Sequence, residues 1–178
     1  MTDNNELILD LQDNEWVYEY TDHDRPIARA IVFDEDGHFY FVRAQRNDDF
    51  GKAVLIETSG GGIEDDESPE DAVLRELREE LGAKVDIICK IGIVRDYYNL
   101  IHRHNINNYY LCKVKSFGAN HLTDQEISDF HLSTMKQSFD EAVDEYKNRS
   151  CTKIGRLIAA RELPVLMRAK ELMESRSI

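Results

Sequence analysis

Residues 61–83 read GGIEDDESPEDAVLRELREELGA. Ser68 is a good N-cap, Pro69 suits the first helical position and Asp71 stands where a capping-box acid would. Gly82 can take the left-handed conformation that ends many helices. The spacing therefore predicts a helix over 69–81. At about 100° per residue, Val73, Leu74, Leu77 and Leu81 share one arc, and Glu76, Glu79 and Glu80 share the next. One face buries and its neighbour presents carboxylates. The i,i+4 pair Glu76 and Glu80 weakens an isolated helix by a few tenths of a kcal/mol. A divalent cation reverses the sign of that repulsion, and hard cations such as Mg²⁺ take carboxylate and phosphate oxygens. Arg75, four residues before Glu79, can hold that carboxylate in place. The plainer reading is a solvated acidic face laced with Glu/Arg pairs.

The flanks give this stretch its setting. Val54 to Thr58 (VLIET) reads as a strand running into the glycines, so the acidic helix closes a strand–loop–helix unit. Upstream, 28–33 (ARAIVF) and 39–44 (FYFVRA) are strand runs joined by the turn Asp34-Glu35-Asp36-Gly37. Residues 15–21 (EWVYEYT) alternate weakly and read as a strand or hairpin arm. Downstream, 84–95 and 106–115 are further strands and 130–133 a short one. Ser138-Phe139-Asp140-Glu141 fits a capping box that opens a helix to about Lys147. Thr152 to Leu163 is helical; Pro164 ends or kinks that helix, and a last helical segment runs to about Glu174. Strands and helices in mixed order imply a sheet with helices on both faces.

The chain has 178 residues, a net charge of −13, 42% hydrophobic and 32% charged residues. That length suits one domain with a real core. The acidity argues against general nucleic-acid binding, but not against a phosphorylated small molecule, because bound cations would set the local field. No apolar run approaches the roughly 20 residues of a membrane span. Cys89, Cys112 and Cys151 lack metal-type spacing, which points to reduced thiols in a cytoplasm.

Gly61, Glu67, Arg75-Glu76-Leu77, Glu79-Glu80 and Gly82 stand at the spacing of the Nudix box, and the chain resembles the Nudix hydrolases. Ala83 departs from the pattern, which has a larger aliphatic residue there. The resemblance implies an α/β/α sandwich with a mixed β-sheet flanked by helices. The order of elements agrees from about residue 28 to 163, within one domain that has an N-terminal arm (1–27) and C-terminal helices (152–178). It implies that Mg²⁺, or Mn²⁺, is bound by Glu76, Glu79 and Glu80 with the carbonyl of Gly61, and that water attacks a diphosphate joining a nucleoside to another group. Arg75 would orient a glutamate, and Glu67 would support the loop or a second metal site, or be only a loop acid. Catalysis would fall to Glu79, Glu76 and Arg75. The general base varies among such enzymes; here the loop Leu122 to Ile127 offers Glu126 first and Asp124 next.

Substrate choice is carried by less. Arg43, Arg46 and Glu57 resemble substrate-binding positions of the ADP-ribose pyrophosphatase branch, which makes ADP-ribose or a related nucleotide sugar the favoured substrate. Two prolines of that branch are absent: Ser59 replaces one, and Arg95 to Leu100 contains none. Tyr97 or Tyr98 could instead stack on a base, as in dinucleoside-polyphosphate hydrolases, and a nucleoside triphosphate is a further alternative. From another class, a non-catalytic ligand sensor on the same fold would be expected to carry a damaged box, and every charged position is intact. His102-Arg103-His104 puts two histidines on one strand face, without a third ligand nearby. The expected partner is a small nucleoside diphosphate derivative, with neither nucleic acid nor membrane. Many such proteins are homodimers, and EWVYEYT is a candidate crossing arm.

Overall fold

The computed structural model describes residues 6–178, apart from the side chain of Gln125. The first residues of the expected arm, 1–5, lie outside them. The strands are β1 (Leu7–Leu11), β2 (His23–Phe33), β3 (Phe39–Asp48), β4 (Gly51–Glu57), β5 (Ser59–Gly62), β6 (Ala83–Tyr98), β7 (Arg103–Phe117) and β8 (Ser133–Gln137). The helices are α1 (Pro69–Leu81), α2 (Asp124–Ser128), α3 (Phe139–Arg149) and α4 (Lys153–Arg176).

The sheet is mixed and runs β1-β6-β7-β2-β3-β4, with β5 also on β2 and β8 also on β3. β2 lies parallel to β7 over its whole length, Arg25 opposite Asn105 and Arg29 opposite Tyr109. The turn between β2 and β3 forms where expected: Gly37 has φ 79° and donates to the Asp34 carbonyl at 3.1 Å. β2 and β3 pair only beside this turn, at Val32–Tyr40 and Phe33–Phe39. Beyond it they part, β2 taking β5 and β3 taking β4 from Val42 onward. The wedge between them is where a ligand can enter.

Both faces of the sheet are buried, and alternation along β2 shows how. Ala28, Ala30 and Val32 pack with Ala72, Val73, Leu77 and Leu81 of α1. Ile31 and Phe33 pack with Ala142 and Tyr146 of α3 and with Ile154, Ile158, Val165 and Leu166 of α4. A strand buried on both sides is what layers of helix above and below require, and the result is the expected α/β/α sandwich.

Three expectations shift. EWVYEYT is not a strand; the N-terminal strand is LILDL, parallel to β6. Residues 13–20 are irregular. The Asp13 carboxylate accepts from the Glu15, Trp16 and Asn99 amides, Trp16 packs edge-on to Phe50, and Tyr20 stacks on His102. Ring contacts, not a ladder, decide this stretch. The short strand expected at 130–133 begins at Ser133 and is preceded by α2. α4 runs unbroken past Pro164. An internal proline costs about 3 kcal/mol, and Val165 and Leu166 beside it are fully buried, apolar burial of the size that offsets that cost.

Candidate active site

α1 begins and ends as its sequence dictates. The Ser68 hydroxyl accepts from the Asp71 amide, and Gly82 closes the helix with φ 64°. Its buried face holds Val73 and Leu77, and also Glu76 and Glu80, each 8% exposed. Glu80 accepts from the Ser59 hydroxyl at 2.5 Å and the Gly60 amide at 3.0 Å. Burial dominates even so and pushes its carboxyl up to about 8. Burial likewise raises Glu76, with repulsion from Glu79 and Glu126 adding to it.

Arg75 ties the box together. Its Nε and one terminal nitrogen donate to the two oxygens of Glu67, each at 2.9 Å. It also donates to Glu76 at 2.6 Å, to the Gly62 carbonyl at 3.0 Å and, weakly, to Glu79 at 3.5 Å. Both Glu67 oxygens are thus engaged in orienting Arg75. Gly61 lies against the Glu76 carboxylate so closely that a Cβ there would collide with it. Backbone and buried carboxylates are pressed together with too little positive charge to neutralise them. This all-oxygen set fits a hard divalent cation, which Glu76, Glu79, Glu80 and the Gly61 backbone could hold.

Beside this cluster the wedge between β2 and β3 opens into a cleft of about 430 Å³, lined by Arg25, Arg29, Arg46, Glu57, Arg103 and Glu126 among others. That volume lies within the roughly 300–1,000 Å³ usual for small-molecule sites. Of the substrate positions read from sequence, Arg46, Glu57 and Tyr98 line it, whereas Arg43 does not. Arg46 is held by Asp48 at 2.7 Å and lies over the rings of Phe50 and Phe130. Tyr98 is 4% exposed, and its ring is covered by Arg103 and the edge of Phe50, which takes up its stacking face. Tyr97 stacks on His104 instead. Glu126 accepts from the Thr123 amide and hydroxyl through Oε2; Oε1 has no hydrogen bond among the described residues. Asp124 opens α2 and is exposed.

Several cleft residues were not singled out from sequence. Arg29 donates to Asn107 at 3.1 Å and to the Thr58 carbonyl at 3.1 Å, and lies 3.8 Å from Glu57. Beneath it Arg161 and Glu162 of α4 are fully buried. Arg161 bonds Glu162, Asp96 and the Tyr98 hydroxyl and lies 3.5 Å from Glu57. Glu162 accepts from Thr58 and Tyr109. This network fixes Glu57 and Tyr98 from below. Its sequence signal is slight: two adjacent opposite charges inside the apolar run LIAARELPVL.

Comparison with known proteins agrees with this fold. The family model for the NUDIX domain matches residues 23–150. A NUDIX hydrolase from Nitrosomonas europaea superposes with TM-score 0.62 at 18% identity, over 86% of this chain and 90% of that one. The E. coli ORF135 protein does so with TM-score 0.58 at 22% identity, over 86% and 93%. At these identities the likeness shows the fold. The CTP pyrophosphohydrolase of Escherichia coli (strain K12) is 41% identical over 58 residues, which span 33% of this chain and 42% of that protein. With the family model covering well over half its length, the chain belongs to the Nudix hydrolase family.

Proposed function

We propose that the protein is a divalent-metal-dependent pyrophosphohydrolase, using Mg²⁺ or Mn²⁺, that cleaves the diphosphate joining a nucleoside to another group. The observation that carries this reading is the pair of buried carboxylates, Glu76 and Glu80, pressed against the glycine strand at the mouth of an arginine-lined cleft. A cation held there supplies positive charge to the diphosphate and lowers the pKa of its bound water. Arg75 fixes Glu76 and steadies Glu79, and Ser59 and Gly60 fix Glu80. Glu126 also lines the cleft, and its Oε1, which has no hydrogen bond among the described residues, would take the proton of the attacking water. The cleft arginines bind and orient phosphate oxygens through their forked donors.

ADP-ribose and related nucleotide sugars are one form of substrate; nucleoside triphosphates and dinucleoside polyphosphates are the other. The CTP pyrophosphohydrolase relative supports the second form. The test is product release from such a panel, with and without Mg²⁺, for wild type and Glu79→Gln in parallel. Hydrolysis of a panel member with metal, lost on chelation and lost in Glu79→Gln with the fold intact, is the expected result. Near-normal turnover by Glu79→Gln would overturn the reading.

A further inference from the structure

The ion network beneath the cleft reaches it from α4, a helix outside the residues that the family model matches. Arg161 and Glu162 of that helix are fully buried. Arg161 donates to Glu162 at 2.9 Å, to the Tyr98 hydroxyl at 2.8 Å and to Asp96 at 3.3 Å. Glu162 accepts from the Thr58 and Tyr109 hydroxyls, each at 3.1 Å. Of the residues this pair meets, Glu57, Thr58 and Tyr98 line the cleft. A buried ion cluster is weak ground for stability, since apolar residues of the same volume often brace a core as well or better. A task at the cleft gives this cluster a reason that stability does not.

Glu57 shows what the task is. Its carboxylate makes no hydrogen bond among the described residues and is shared by two guanidinium groups, 3.5 Å from Arg161 and 3.8 Å from Arg29. Arg29 uses its Nε for Asn107 and one terminal nitrogen for the Thr58 carbonyl. Its other terminal nitrogen has no hydrogen bond among the described residues, and Arg29 lines the cleft. Without Arg161, Glu57 would be left with Arg29 as its ion-pair partner. A carboxylate and a guanidinium left to each other close to a charge-assisted contact of about 2.8 Å. That contact would occupy the donor of Arg29 that is otherwise open to a ligand.

We propose that Arg161 is a positioning residue for substrate binding: it holds Glu57 back from Arg29 and so keeps the open guanidinium nitrogen of Arg29 available to a phosphate oxygen of the substrate. This rests on the pyrophosphohydrolase reading above. Arg161 is fully buried, so it touches no substrate and acts through Glu57.

A double-mutant cycle tests this. Removing Arg161 alone would strand Glu162, whereas removing both members of a buried pair is far better tolerated. The first arm is therefore Arg161→Gln together with Glu162→Gln. With Mg²⁺ and the panel member that the wild type hydrolyses, KM is expected to rise about tenfold, with kcat within about twofold. KM does not depend on the fraction of enzyme that is folded, so a weakened fold alone would not produce this split. In the second arm the same two changes are made in Glu57→Gln. There no carboxylate is left to draw Arg29 aside, and KM is expected to stay within about twofold of Glu57→Gln alone. Arg161→Lys keeps the charge without the fork and is expected to give an intermediate KM. Should the paired variant not fold, both arms are read on Arg161→Lys. A KM that rises equally in the two backgrounds, or that does not rise in the first arm, overturns the proposal. Should no panel member be hydrolysed, the pyrophosphohydrolase reading fails by itself. The same cycle is then read as Kd by calorimetry with CTP and with ADP-ribose in chelator, where no binding of either by the wild type overturns this proposal as well.

Discussion

At the hairpin that ends β2, Asp34, Asp36 and His38 bring their ligand-type atoms within 4.8 Å of one another. Nearer the start of the same strand, Gly60 and Gly61 pair with Arg29 and Ala28, and there Glu76 and Glu80 are buried. Both clusters gather acids on a turn or a glycine strand, yet their electrostatics are opposite. Asp34 is fully engaged: Lys136 lies at 2.9 Å, Tyr40 donates at 2.9 Å and the Asp36 and His38 amides donate at 3.0 Å. These partners outweigh its burial and hold its carboxyl well below the usual range. Among the described residues Glu80 has two donors and Glu76 only Arg75, and burial holds both above theirs. An acid cluster already neutralised by the protein fixes a turn. One left short of positive charge is ready for a cation.

The sharpest way to break this contrast is to remove one charge from each cluster. Glu80→Gln keeps an acceptor for Ser59 and Gly60 but deletes a ligand charge, so metal-dependent turnover is expected to fall by about 10³-fold. Asp34→Asn in the same assay is expected to leave turnover at the wild-type level. Equal losses would mean that the hairpin cluster, not the box alone, takes part in the reaction.

Stability against pH gives the next largest effect, with opposite signs at the two sites. Folding lifts Glu80 from about 4.5 to about 8. Its protonated form therefore supports the fold fully below pH 4.5, and that support is lost as pH rises through 8. The loss is on the order of 5 kcal/mol in the metal-free protein. Asp34 lies below its unfolded value of 3.8, so its support is present above that pH and lost as pH falls through the folded value. Chemical denaturation in chelator, from pH 5 to 8.5, is expected to show declining stability in the wild type and a flatter profile in Glu80→Gln. Added Mg²⁺ is expected to restore the wild type at the alkaline end. A profile that Glu80→Gln does not change would remove the basis for treating Glu80 as an uncompensated carboxylate.

How much of this was legible in the sequence follows the range of the interactions. The box helix was readable because Ser68, Gly82 and the i,i+4 glutamates act within a turn or two. The β2–β3 hairpin was readable for the same reason. The arginine-lined wall of the cleft was not. Arg25, Arg29 and Arg103 meet only through the parallel register of β2 and β7, strands separated by some 80 positions, and a sequence gives no local sign of that pairing. Arg161 and Glu162 carry no local sign of burial, since such residues are almost never fully buried unless paired. Their partners, Asp96, Thr58 and Tyr109, come from three other segments. EWVYEYT misled because alternation in a short aromatic run fits a strand equally well, and contacts with Phe50, Tyr97 and His102 decided otherwise.

The smallest expected effect tests the satisfied side of the comparison. Lys136 meets Asp34 at 2.9 Å and its ammonium also lies 5.6 Å from the centre of the Tyr40 ring. β8 is held to β3 by pairing from Phe39 to Arg43, so the ion pair fastens the outer end of a ladder that is already formed. Lys136 is 46% exposed, and a pair at such exposure contributes little because water and salt screen it. Lys136→Met is therefore expected to lower stability only slightly, and less at high salt, with metal-dependent turnover unchanged. The Asp34 amide bonds and the Tyr40 hydroxyl remain in that variant, so the turn itself persists. A loss of several kcal/mol would show that Asp34, like Glu80, depends on a single counter-charge, and the distinction between the two clusters would then be one of degree.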